Sequence, residues 1–250
     1  MKIIGSIEAR MGSSRLPGKT LTPLFREKPL LAWVVHRFKK SASLDGVIVA
    51  TTSSAKDDPI AAWCASADVP CSRGSEEDVL DRVTAAALSQ GADAIVQLGA
   101  DSAFLDFELI DRLVALYKTG KYDYVCNDLP LTFPLGIYAH VVSVPVLAAL
   151  NARQDLSVED REDVVRPIFE HPERYAVLNL EAAGAERRPD LRFTIDYPED
   201  LELARAVYAR FGGGDFHTAD LLALAESEPT LFEKTRGLVQ RSAPHLKFKS

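Results

Sequence analysis

The chain has 250 residues, 47% of them hydrophobic and 26% charged, with a formal net charge of −7. That length holds one large or two small domains with an ample core, and the acidic surplus excludes wholesale nucleic-acid binding, which needs a basic field. No stretch approaches the roughly 20 apolar residues of a membrane span, and three scattered cysteines, Cys64, Cys71 and Cys126, suit buried thiols in a reducing, cytoplasmic setting.

Residues 2–9 are short, rich in isoleucine and bounded by turn residues, so they read as a buried strand of a parallel sheet. A helical period over 29–40 follows, with Leu30, Leu31, Val34, Val35 and Phe38 on one face and Pro29 at its start. Strand 46–51, helix 60–67 and a short strand 69–71 come next. Helix 76–89, with Ser75 as its cap, precedes strand 94–98, and helix 107–117 leads to strand 122–126. This alternation predicts a doubly wound, mostly parallel α/β sheet in a nucleotide-binding half, 1–127.

The rhythm then changes. A proline-punctuated stretch, 129–134, leads into an extended run over 136–144 and helices at 146–151 and 160–170. This inserted segment, 128–190, is of the kind that caps a site or pairs subunits. The chain returns with a strand at 192–195, a helix at 198–211, a Gly212-Gly213-Gly214 break and a helix at 217–227, before a tail, 228–250. The whole is expected to be a single domain.

The first loop carries the strongest chemistry. Glu8-Ala-Arg-Met-Gly-Ser-Ser-Arg-Leu-Pro-Gly-Lys19 spaces Arg10, Arg15 and Lys19 with small residues, and Gly12, Ser13 and Ser14 offer N–H and hydroxyl donors. A triphosphate would satisfy all of them. The glycines of Gly12 to Gly18 stand one residue too far apart for a P-loop, and the dinucleotide pattern G-x-G-x-x-G is absent. Ligands of open α/β sheets bind at the carboxyl ends of strands, where Asp101 and Asp196 fall. Two carboxylates beside a triphosphate suit Mg2+, although each aspartate alone also fits a helix cap or turn. Between a strand and a helix lies Arg73-Gly-Ser-Glu-Glu-Asp-Val-Leu-Asp-Arg82, where Gly74 would let a planar base approach and Arg82 could reach the same pocket.

Together with Val-Ala-Thr-Thr52, Ala-Asp-Ser-Ala-Phe-Leu-Asp106 and Ile-Asp-Tyr-Pro-Glu-Asp-Leu201, these motifs resemble the cytidylyltransferases over residues 1–211. The branch they are most similar to is the SpsF-like group of spore-coat polysaccharide biosynthesis, related to synthetases of CMP-activated ulosonic and sialic acids. The resemblance implies a glycosyltransferase-A-like nucleotidyltransferase fold, CTP and Mg2+ as ligands, and a homodimer. By position, Ala9, Arg10, Gly12, Ser13, Arg15 and Lys19 would hold the triphosphate, and Arg73, Gly74, Ser75 and Arg82 the cytidine. Asp101 and Asp196 would hold the metal, with Arg10, Lys19 and Asp101 as the catalytic group. A small-molecule acceptor would meet Tyr138, His140 and Arg161. It would be a sugar acid or surface-glycan precursor or, with Arg153, Arg161 and Arg166 accommodating the extra charge, a phosphorylated or phosphonate compound; the alternative from another class is a nucleotide-binding homologue without catalysis in a glycan pathway.

The departures are also informative. Glu8 stands where glutamine is usual, Ala100 and Ala103 replace a glycine and a proline around Asp101, and Tyr138 and His140 stand where the branch often has acidic residues. A histidine at 140 could bind an anionic acceptor or serve as a base.

Overall fold

The computed structural model describes residues 1–238. Its framework is a seven-stranded sheet. The strands and helices in chain order are β1 (Ile3–Glu8), β2 (Pro23–Phe25), β3 (Lys28–Pro29), α1 (Leu30–Lys40), β4 (Gly46–Thr52), α2 (Asp58–Ser66), β5 (Cys71–Gly74), α3 (Val79–Ser89) and β6 (Ala94–Gly99). They continue with α4 (Phe107–Tyr117), β7 (Tyr124–Cys126), β8 (His140–Ser143), α5 (Val144–Asn151), α6 (Val158–Glu162), α7 (Arg166–Phe169), β9 (Val177–Asn179), α8 (Pro198–Phe211) and α9 (Thr218–Ser227).

The sheet order is β5-β4-β1-β6-β8-β7-β9, and β8 alone runs against the other strands. β1 lies inside the sheet, with Ile7 between Val49 and Leu98. Its alternate residues feed two cores. Ile3 and Ile7 join residues of α1, α4, α8 and α9 on one face, while Ile4 joins residues of α3, α5 and α7 on the other. A strand buried on both sides is apolar at nearly every position, which is why the isoleucine run was readable.

Most elements lie where the sequence puts them, and the differences have local causes. Residues 160–170 do not form one helix: α6 ends at Glu162 and α7 starts at Arg166, with Pro167 in its first turn. Proline has no N–H to donate and its ring crowds the preceding turn, so it sits where a helix begins. Residues 192–195 form no strand; a single bridge joins Arg192 to Leu135. There Gly136, at φ +93°, lies so close to the crossing chain that a Cβ would stand 2.5 Å from Phe193 backbone atoms. The extended run 136–144 contributes only β8, and the strand expected at 69–71 lies at Cys71–Gly74.

The helix expected from residue 76 starts at Val79, and Asp78 rather than Ser75 caps it by accepting the Asp81 N–H at 2.9 Å. Two elements had no clear signal: β9, and the β2–β3 hairpin, whose turn residues Arg26 and Glu27 both take positive φ. Of the tail, Pro229–Thr235 is a 3-10 turn, and residues 239–250 lie outside the described residues. Cys64 and Cys126 are buried and Cys71 half-buried, all as free thiols. Among the described residues no helix is long and apolar enough to cross a membrane.

The α4 cap ties two elements at once. Buried Asp106 accepts the N–H groups of Glu108 at 3.0 Å and Thr218 at 2.6 Å, and contacts His217 Nδ1 at 3.1 Å. Burial alone would raise its carboxyl pKa, yet these donors hold it below the ordinary value. Asp106→Ala is expected to cost about 1–2 kcal/mol, read as a thermal midpoint lower by about 3–6 °C. An unchanged midpoint would remove the cap from the stability account.

Candidate active site

The carboxyl ends of β1 and β6 open onto two adjoining cavities. The first, about 330 Å³, is lined by the loop after β1 (Ala9, Arg10, Ser13, Ser14, Arg15, Lys19, Thr20), by Glu76, Val79 and Arg82, and by Gly99, Ala100, Asp101, Glu162 and Asp196. The second, about 630 Å³, lies over Gln97, Tyr138, His140, Glu159, Asp163 and Arg166. Glu8, Arg10, Gly99, Asp101 and Glu162 border both.

The loop is held at its base by backbone and by a side chain from elsewhere. Gly18 N–H donates to Met11 O at 3.0 Å. Met11 N–H donates to Asp57 Oδ1 at 2.7 Å, and Thr20 Oγ1 to Arg10 O at 2.8 Å. These bonds aim Lys19 inward. Its Nζ donates to Asp101 Oδ2 at 2.8 Å, Ile195 O at 2.7 Å and Asp196 Oδ1 at 3.1 Å. Burial pulls the Lys19 pKa down, but the two carboxylates outweigh it and leave the ammonium more firmly protonated than usual.

Asp196 is surrounded by cations. Arg15 Nη2 lies 2.8 Å from its Oδ1 and Arg192 Nη2 3.2 Å from its Oδ2. Burial opposes its charge, and Lys19, Arg15 and Arg192 together hold its pKa below the ordinary value. Neither Asp101 nor Asp196 caps a helix. Asp106 caps α4, and the first turn of α8 is tied by Asp200, whose Oδ2 accepts from the Asp196 and Tyr197 N–H groups at 2.9 and 3.0 Å.

Arg82 reaches the first cavity nearly fully buried, with Nη1 donating to Ser75 O and Nε without a partner. Its path runs over Gly74, where a Cβ would press within 3.1 Å of the Arg82 side chain. Arg73 does not join it: it donates to Thr52 O and Ser54 O at 2.8 and 2.9 Å and pairs with Asp58 at 2.7 Å. Gly12, Arg73, Gly74 and Ser75 are not among the residues lining the cavity.

In the second cavity Tyr138 stacks on His140, with ring centroids 5.6 Å apart. Arg161 is elsewhere. Its guanidinium donates to Asp78, to Asn151 and to the Arg153 carbonyl at 2.6–3.2 Å, tying α6 to α3 and α5, while Arg166 is the arginine that lines the cavity. His140 is held on both sides by other side chains. Gln97 Nε2 donates to Glu8 Oε1, so Gln97 presents its oxygen to His140 Nδ1 at 3.2 Å, while Asp128 Oδ2 lies 2.9 Å from Nε2. Both ring nitrogens are engaged by side-chain partners. Burial would lower the His140 pKa, and Asp128 more than offsets it.

Glu8, Gln97 and Asp128 were not legible as site residues. Gln97 and Asp128 carry no motif: Gln97 meets His140 because β6 and β8 pair with the two opposite each other, and Asp128 reaches the other ring nitrogen from the loop after β7.

Residues 4–231 match the family model described as Cytidylyltransferase. The spore coat polysaccharide biosynthesis protein SpsF of Bacillus subtilis is 36% identical over 91% of this chain and 95% of its own length. A 3-deoxy-manno-octulosonate cytidylyltransferase of Bdellovibrio bacteriovorus is 31% identical over 74% of this chain and 69% of its own. Among solved structures, a cytidylyltransferase from Leptospira borgpetersenii superposes with a TM-score of 0.86 at 28% identity, over 97% of this chain and 100% of that one. A doubly wound sheet with a cation-rich first loop, matched along nearly its whole length in this way, shows that the chain belongs to the cytidylyltransferase family.

Proposed function

We propose that the protein transfers CMP from CTP to a hydroxyl of a small acceptor, a sugar acid or related surface-glycan precursor, and releases pyrophosphate. The observation that carries this reading is the convergence of Arg15, Lys19, Asp101 and Asp196 on one cavity that adjoins a second, with Arg10 at their border. The smaller cavity suits the nucleotide and the larger the acceptor. Positioned cations neutralise phosphate charge as the leaving group departs, so positioning and electrostatics do most of the work.

The carboxylates fit Mg2+ in kind, because they offer hard oxygens and one cationic nitrogen, Lys19 Nζ, already contacts both. Asp101 and Asp196 would hold the ion, which would offset triphosphate charge and polarise the phosphorus. A doubly charged phosphate or phosphonate acceptor is less well served. Arg161 is engaged as described, Arg153 is paired with Asp155 at 2.8 Å, and Arg166 with Glu170 at 2.9 Å.

Thermal-shift measurement with each of the four nucleoside triphosphates and Mg2+ tests the donor. CTP at about 100 times its Kd stabilises the native state by about 2.7 kcal/mol, a rise of about 5–10 °C. UTP, ATP and GTP are expected to give clearly smaller rises, and Asp101→Asn to abolish the part that depends on Mg2+. Equal shifts from all four would refute the cytidine reading, and an unaltered Mg2+ response in Asp101→Asn would refute the metal site.

A further inference from the structure

Glu8 ends β1 and faces both cavities. Its Oε1 accepts from Gln97 Nε2, and no hydrogen bond is seen to its Oε2 among the described residues. The Gln97 side chain is shared between two partners, its Nε2 on Glu8 and its Oε1 3.2 Å from His140 Nδ1. His140 in turn is fixed by Asp128 and by stacking on Tyr138. Three adjacent strands therefore carry one polar row, Glu8, Gln97 and His140, on a single face of the sheet, and the row ends in a carboxylate oxygen at the border of the two cavities.

On the reading of those cavities given above, we infer that Glu8 is the group that takes the proton from the acceptor hydroxyl during attack on the α-phosphorus. The acceptor oxygen forms a bond to the α-phosphorus. The bond from that phosphorus to the oxygen bridging to the β-phosphorus breaks, and pyrophosphate leaves with the electron pair. The hydroxyl proton passes to Glu8 Oε2 and then to water. Gln97 and His140 are positioning residues in this step, since Gln97 holds Glu8 and is itself held by His140, which Asp128 fixes.

The surroundings suit such a role. Burial pushes the Glu8 carboxyl up to about 7, against the Gln97 hydrogen bond and the Arg82 charge, which lower it. Asp163, between α6 and α7, pushes in the same direction as burial, and His140 opposes it. Asp101 and Glu162 stand on the shared walls. A base works best when its pKa is near the working pH. Below that value the carboxyl is protonated and cannot accept, so turnover is expected to rise with pH towards a plateau above about 7.

Glu8→Gln is the decisive variant, because it keeps the size of the side chain and an oxygen for Gln97 while removing the base. Full-length protein is assayed for pyrophosphate release from saturating CTP with Mg2+ between pH 5.5 and 8.5, with water alone and with added 3-deoxy-manno-octulosonate as the probe acceptor. Glu8→Gln is expected to lower kcat about 10²-fold or more, to lose the rise with pH, and to keep the CTP-induced thermal shift. A variant that retains the wild-type rate and pH profile overturns the role of Glu8 while leaving the proposed reaction intact. A wild-type protein that releases no pyrophosphate above the enzyme-free rate with either acceptor overturns the proposed reaction, and the role of Glu8 falls with it.

Discussion

Lys19→Met is expected to lower kcat/KM for nucleotidyl transfer by about 10²–10³-fold, the usual cost of removing one preorganised charge from a developing anion. The ammonium is shared between Asp101 and Asp196 and is anchored by the Ile195 carbonyl. A triphosphate entering the first cavity offers the same nitrogen a third anion, with no need to bring a cation in from solvent. Methionine matches the length of the stem but leaves Asp101 without its partner. Asp196 still has Arg15 and Arg192, so the fold should persist and the loss should fall on turnover and on CTP affinity. Pyrophosphate release and CTP-induced thermal shift, measured side by side, check this. Unaltered turnover would mean that Lys19 serves only the pairing of the two carboxylates.

Arg37→Leu is expected to be the most damaging change to stability, by about 3–5 kcal/mol, since it leaves several buried acceptors unpaired at once. Arg37 is fully buried on α1. Its guanidinium donates to the carbonyls of Leu105, Gly214 at 2.5 Å and Phe216 at 3.0 Å, and it lies 4.3 Å from the Phe216 ring centroid. Burial lowers its pKa, with Tyr208 and Asp106 opposing. The carbonyls belong to two irregular segments, 104–105 and 214–216, which have few other partners for those oxygens. Lysine should rescue little, because a single ammonium cannot span acceptors that a planar fork reaches together. Thermal unfolding of Arg37→Leu and Arg37→Lys should show midpoints lower by about 10 °C. A shift under 2 °C would show that water satisfies the carbonyls instead.

Arg37 also marks where the sequence stops being legible. On an amphipathic helix an arginine beside Phe38 and Lys39 reads as part of the solvated face, and only the distant loops that need its donors reveal otherwise. The same holds across the site. Lys19, Arg15 and Asp101 could be anticipated because a short loop and strand ends hold them near one another by local geometry. Arg73 and Arg161 could not be told from Arg82 and Arg166 in that way. Each is an arginine near a helix, and only tertiary carbonyls and carboxylates decide which ones turn away from the cavity. β9 is three half-buried residues at the sheet edge, too short for a periodic signal. The stretch 192–195 is apolar enough for a strand, but its neighbour is a single crossing chain rather than a ladder.

The ion pair between Lys19 and Asp196 spans 177 positions. As the chain is synthesised, the loop after β1 emerges early and stays without its final partner until 177 of the 250 residues have followed. β1 itself waits for β4 and β6 on either side, and such long-range pairing delays folding. The wall of the first cavity is therefore among the last parts of the molecule to be completed. A fragment that stops before residue 196 contains every strand of the seven-stranded sheet and still lacks one wall of the first cavity.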